Sequence, residues 1–173
     1  MLEQIKKFRE YLDYIEEHYN NVQKAWQLIQ DKCDNKFRFI WDDFAFFSID
    51  ANVKAHDLSK LSANEFTQYR QFFFPTDSET KDKALFEQAW EHHKSNNPHH
   101  WENWTVNYAK HPYADIWLVE NIIDWVAMGF KFGDTAKAFY EKNKDKIQLP
   151  EWAIKEMYLI FDCIYPENDE GNN

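Results

Sequence analysis

Between Leu2 and Lys32 apolar residues return every three or four positions, and Ile5, Phe8, Leu12, Ile15, Tyr19, Val22, Trp26 and Ile29 fall on one stripe. That is the period an α-helix needs to bury a single face, so it predicts a long first helix. A second helix is expected over Phe37 to Ala55, where Ile40, Phe44, Phe47 and Ala51 recur at the same steps. It runs up to His56-Asp57-Leu58-Ser59-Lys60, which places the His-Asp pair at a helix end. Ser62 and Glu65 read as a capping box, each side chain satisfying a free backbone donor of a helix that reaches toward Phe74 and stops at Pro75. Ser78 with Lys81 to Asn96 makes a further candidate, closed by Asn97-Pro98, with His92 and His93 on its last turns. After Pro112, Tyr113 to Phe130 is strongly apolar at helical spacing, and helices are expected from Asp134 to Lys144 and from Pro150 to about Tyr165.

Composition points the same way. Only 3 glycines and 5 prolines interrupt a chain of 173 residues that is 44% hydrophobic and 18% aromatic. The stretches between them are rich in Lys, Glu, Ala, Leu, Trp and Phe, which favours helices over sheets. With no internal repeat or linker, the expected fold is all-α: a single compact bundle of six or seven helices over residues 1–166, with a frayed tail over 167–173.

A formal net charge of −10 argues against extended nucleic-acid binding, where Lys and Arg must neutralise phosphates. A small anion stays accessible if a metal supplies local positive charge. No apolar run approaches the roughly 18 residues of a membrane span, and the first residues lack the apolar core of a signal peptide. No membrane contact and a cytoplasmic location are therefore expected. Cys33 and Cys163 lie far apart without a CxxC pattern and read as reduced core thiols.

The least ordinary feature is the histidines: all 7 lie between positions 18 and 111, and four form the pairs His92-His93 and His99-His100. Imidazole and carboxylate together suit divalent transition metals, and separate helices can bring such ligands to one point inside a bundle. His18, His56, Asp57, His92 and Asp124 supply that set. Glu120 and Asp124, four residues apart, share a helical face within an otherwise apolar segment, where carboxylates need a partner. That partner is either a cation, with Asp124 the ligand and Glu120 an orienting group or general base, or Lys60 in a salt bridge. Consecutive residues do not share a face, so of His92 and His93 one binds metal and the other orients a ligand or substrate, with His92 the preferred ligand. Trp101 and Trp104 read as core anchors, His111 as a turn residue, and Lys94, Asn96 and Asn97 as candidate substrate contacts.

These residues resemble the HD-domain hydrolases, which carry a histidine on an early helix, a His-Asp doublet, later histidines and a final aspartate. His56-Asp57-Leu58-Ser59-Lys60 fits the HDxxK form. The resemblance implies an HD-like fold, metal held by His56 and Asp57, and phosphate bound by Lys60. Members with two or three metals use an extra histidine and a later pair, to which His92 and His99-His100 are similar. The Gly-Tyr-Pro segment of the cyclic-dinucleotide phosphodiesterases is absent.

Over most of its length the chain also resembles an uncharacterised domain family of phages and bacteria. The matching pieces include His18-Tyr19-Asn20-Asn21-Val22, Glu65-Phe66 and His92-His93-Lys94-Ser95-Asn96-Asn97-Pro98-His99-His100-Trp101. The cell would then be a bacterium, with or without a phage.

The leading expectation is a metal-dependent phosphohydrolase acting on a nucleotide or another small phosphorylated metabolite. Lys60 and Glu120 would be catalytic, and Lys60, His93, Lys94 and Asn97 would face the substrate, around one or two ions of manganese, iron, cobalt or zinc. The alternatives are an HD-type di-iron oxygenase and a non-catalytic, metal-stabilised binding protein that modulates a phage host.

Overall fold

The computed structural model describes residues 1–34, 36–105 and 111–166, and among these every regular element is helical. The expected tail over 167–173 lies outside them. Eight α-helices follow in order: α1 Leu2–Cys33, α2 Arg38–Trp41, α3 Asp43–Ala55, α4 Phe66–Phe73, α5 Lys83–Asn96, α6 Ala114–Phe132, α7 Ala136–Asn143 and α8 Glu151–Ile164. Short 3₁₀ turns occupy Leu58–Leu61 and Trp101–Asn103.

The count exceeds the expected six or seven because the segment Phe37 to Ala55 is two helices. Asp42 breaks it: its backbone is extended and its carboxylate accepts from the Phe44 amide at 3.2 Å, capping α3. The capping box at Ser62 is also absent. Ser62 Oγ is buried without a hydrogen-bond partner, and the Glu65 carboxylate turns toward histidines of α5 instead. Helix α5 starts at Lys83, where the Asp82 carboxylate takes the Leu85 amide at 3.0 Å.

Helix α6 is the axis of the molecule. It buries Leu118, Val119, Ile122, Ile123 and Val126 completely, each contributing about 1.5–3 kcal/mol of burial. It packs along α1 and is flanked by α3, α7 and α8. It ends at Gly133, whose φ of 69° is the left-handed conformation, and the amides of Gly133 and Asp134 both return to the Gly129 carbonyl. At Gly129 a Cβ would lie 2.6 Å from the Asp134 carbonyl oxygen, so only glycine lets that turn close onto α6.

A second, smaller aromatic cluster joins the first half of α1 to α4 and α5 through Tyr11, Tyr69 and Ala89, with Tyr14, Phe66 and Phe86 beside them. Along α1, His18 falls between this cluster and the main core that begins at Val22. The seam between the two cores is where the polar residues gather. Cys33 is buried and unbridged, as is the half-buried Cys163. Among the described residues no helix is long and apolar enough to cross a membrane.

Candidate metal centre

The seam is filled by imidazoles and carboxylates from α1, the end of α3, α5, the loop before the second 3₁₀ turn, and α6. His18, His56, Asp57, Glu65, His93, His99 and Glu120 are all under 7% exposed. Buried charge in such density is stable only when every group finds an opposite charge or a cation.

His18 Nε2 lies 3.4 Å from His56 Nε2, 3.3 Å from Asp57 Oδ2 and 3.3 Å from Asp124 Oδ1. His56 Nε2 lies 3.7 Å from each of the same two carboxylate oxygens. An ion bound at about 2.1 Å sets neighbouring donors about 3.0–3.4 Å apart, so these atoms need close by only a few tenths of an ångström. On the other side of Asp57, Oδ1 is 3.2 Å from His93 Nε2 and 3.6 Å from His99 Nε2. Three overlapping sets thus offer ligand atoms within 4.8 Å of one another: His18, His56 and Asp57; His56, His99 and Asp124; and Asp57, His93, His99 and His100. Asp57 Oδ1, His99 Nε2 and His100 Nε2 are buried with no hydrogen-bond partner. These orphaned atoms are the ones an ion would satisfy, so the donor set fits a metal.

Carboxylates behind the rings fix their orientation. Glu120 Oε1 accepts from His56 Nδ1 at 3.1 Å and faces His99 Nδ1 at 3.2 Å, while Asn52 donates to Oε2 at 3.0 Å. Glu65 does the same for α5, with Oε1 2.7 Å from His92 Nδ1 and Oε2 2.9 Å from His93 Nδ1. Because a carboxylate only accepts, Nδ1 carries the proton, and the Nε2 atoms of His56, His93 and His99 point inward.

The electrostatics register the demand for positive charge. Burial would lower His56, but Asp57, Asp124 and Glu120 outweigh it and hold the imidazole up at about 10. His93 is raised against burial in the same way by Asp57 and Glu65. Burial opposes ionisation of Asp57, yet Lys60, His56, His18 and His93 hold it well below the usual carboxylate range. Glu120 goes down to about 2, the hydrogen bonds and charges of His56 and His99 overcoming burial. His100 is pushed down to about 3 by burial and by His99 and His93, which leaves it a neutral imidazole.

Of the residues expected to bind metal, the structure brings together His18, His56, Asp57, His99, His100 and Asp124. His92 is not with them. It is His93 that turns inward, because Glu65 holds both rings and His92 Nε2 faces Asn64 at 3.0 Å on the outer side. Lys60 pairs with Asp57 Oδ2 at 2.5 Å, which makes it a positioning group for that carboxylate. Glu120 has both oxygens engaged by His56, His99 and Asn52, the orienting half of its expected role. Lys94 pairs with Glu91 at 2.8 Å, and Asn97 donates to Ser59 Oγ and to the His93 carbonyl, so neither faces an open space at the centre. Glu65, Asn52 and Ser59 escape the sequence reading, although Glu65-Phe66 belongs to the family string.

Fold and site together define an all-helical protein whose buried histidine and aspartate groups are positioned to hold a metal ion. The chain belongs to a family of unknown function, DUF5662, whose model matches residues 7–159, a span that includes every residue of the centre. No curated protein and no solved structure matches it.

Proposed function

We propose that the chain is a metal-dependent phosphohydrolase of the HD-domain kind, acting on a nucleotide or another small phosphorylated molecule. One ion would sit among His18, His56, Asp57 and Asp124, and a second among Asp57, His93, His99 and His100. Manganese, iron, cobalt and zinc suit these nitrogen-rich sets. The observation that carries the reading is Asp57, whose Oδ2 faces His18 and His56 while its Oδ1 faces His93 and His99, the disposition of a carboxylate shared by two ions.

When bound, such ions polarise a phosphoryl oxygen and lower the pKa of water to make hydroxide near neutral pH. The protein's part is to fix the ligands and keep the site dry. Glu120 and Glu65 hold three rings with Nε2 inward, and Lys60 neutralises Asp57 and fixes which oxygen faces which set. The ammonium also lowers the cost of bringing a phosphate dianion to this acidic seam. Burial of His56, Asp57, His93 and His99 keeps the dielectric low, so each of these charges acts strongly.

The test is elemental analysis of untagged protein purified without added metal, beside the double variant His56→Ala, Asp57→Ala, followed by a panel of phosphomonoesters, phosphodiesters and nucleoside triphosphates. A stoichiometric transition metal absent from the variant, with phosphate release by the wild type, supports the reading. Bound iron with no phosphate release moves it to an oxygenase, and a metal whose removal only unfolds the chain moves it to a binding protein.

A further inference from the structure

A cavity of about 330 Å³ abuts the centre on the side of His100 and Asp124. Its walls are aromatic: Trp90 from α5, Trp101 from the second 3₁₀ turn, Trp125 and Phe132 from α6, and Phe139 from α7. The tight turn at Gly129 and Gly133 brings Asp134 and Thr135 in to close one side. The lining contains Glu102, Asp124 and Asp134 but no Lys or Arg. Besides His100 Nε2, which belongs to the candidate metal-ligand set, two polar groups of the wall lack partners: Asn121 Oδ1, on a residue 2% exposed, and Glu102 Oε2 are both buried without a hydrogen bond.

Each of these features restricts the occupant. Flat aromatic walls favour a planar ring, which can stack on them. The volume lies near the lower end of small-molecule pockets, about 300–1,000 Å³, which suits one nucleoside-sized unit and not a strand. Without a cation in the lining, a polyphosphate chain has no counter-charge there. A carboxylate only accepts, so the ring edge that meets Glu102 must donate N–H, and Asn121 Oδ1 asks for the same. The cavity on the other flank, along Leu12, Ile15 and Leu61, is of another kind, since its lining holds no Trp or Phe and includes Lys54 and Lys60.

We infer that the aromatic cavity is the ring pocket of the substrate and selects an amino-substituted nucleobase of the cytosine or adenine kind, its phosphate-bearing end directed at His100 and Asp124. The phosphate end rests on the metal-centre reading; the ring pocket does not.

The experiment is a calorimetric titration of the whole chain in EDTA with cytidine against uridine and adenosine against inosine, pairs in which an exocyclic amino group with two N–H donors is replaced by a keto oxygen beside one ring N–H. At least one amino nucleoside should bind, about tenfold or more tighter than its keto partner, whose single ring N–H can meet only one of the two buried acceptors, Glu102 Oε2 and Asn121 Oδ1. Glu102→Gln, which can present an amide N–H instead, should narrow the ratio several-fold, and Met128→Trp, which fills the cavity, should abolish binding with the helical circular-dichroism signal intact. Equal affinities within both pairs, no binding of any nucleoside, or an unchanged ratio in Glu102→Gln would overturn the inference. Since EDTA removes the ions, a negative result strikes the ring pocket alone; amino selectivity in a protein that never binds metal strikes the metal reading alone.

Discussion

Replacing Glu120 by Gln removes a charge while keeping the shape, and it tests whether the cluster works as a metal centre. Glu120 backs His56 at 3.1 Å and His99 at 3.2 Å, one ring from each of the two ion sets. Loss of a carboxylate behind a metal-binding histidine weakens the ion by about 10–100-fold. At about 1.4 kcal/mol per decade this is roughly 1.4–2.7 kcal/mol for each ion, and the product of the two binding constants should fall about 10²–10⁴-fold. Glu120→Gln belongs at the lower end, because its amide oxygen can still accept from a ring while Asn52 turns its own oxygen toward the new NH₂. Glu120→Ala belongs at the upper end, since both Nδ1 atoms lose their acceptor in a buried place. Competition for cobalt or zinc against a chromogenic chelator reads the constants, and circular dichroism reports the fold. A folded Glu120→Gln protein that binds two ions as tightly as the wild type would refute the idea that Glu120 orients ligands.

His93→Ala should halve the metal content found by elemental analysis while His92→Ala leaves it unchanged; the reverse pattern would restore His92 as the ligand. In EDTA the melting temperature should be highest near pH 6.5, because the lowered His100 loses stability progressively as pH falls below its unfolded value of 6.5. The raised imidazoles of His56 and His93 stabilise fully below their unfolded value of 6.5 and lose this as pH climbs, for His56 through about 10; the lowered Glu120 stabilises fully above 4.5 and loses this as pH falls toward about 2. A melting temperature that stays flat above pH 6.5 would contradict those charge states. Glu79→Ala should cost about 3 kcal/mol in urea unfolding, because Arg70, 1% exposed, loses the carboxylate that meets its Nη2 at 2.7 Å; a loss under about 1 kcal/mol would place the pair among ordinary surface bridges.

The helical period is legible in the chain, but its phase is less so. A stripe drawn through apolar residues of α1 takes in Ile5, Leu12 and Tyr19, which are 40%, 45% and 38% exposed, whereas the buried face carries Tyr11, His18 and Ala25. Counting only apolar residues fails where the buried face includes a polar site. Helix α3 repeats the lesson: Phe44 and Phe47 are 60% and 68% exposed, and the small or branched Ala45, Ile49 and Val53 go inside. The centre was easier to read, because residue type marks His18, His56, Asp57, His99, His100 and Asp124 whatever the helix phase. The choice between His92 and His93 depends on that phase and on Glu65, whose place three residues after Ser62 matches a cap equally well.

The His-Asp doublet needs the backbone to break between its two members. Successive residues of a continuous α-helix point about 100° apart, so His56 and Asp57 would diverge from one helix and not turn into the same cluster. Helix α3 stops at Ala55, His56 is extended with ψ of 130°, and Asp57 adopts φ 58° and ψ 17°. Among the described residues Asp57 is the non-glycine residue with positive φ, a conformation that costs of order 1 kcal/mol and that Asp tolerates better than most side chains. The reversal sends the chain into the Leu58–Leu61 turn, where the Lys60 amide returns to the Asp57 carbonyl at 2.9 Å and the Lys60 ammonium folds back onto Oδ2. The same turn sets the carboxylate across the seam, with one oxygen toward α1 and the other toward α5. Strain at this residue is therefore tied to its position between the two ligand sets, and neither histidine group could share it if α3 ran on by one more turn.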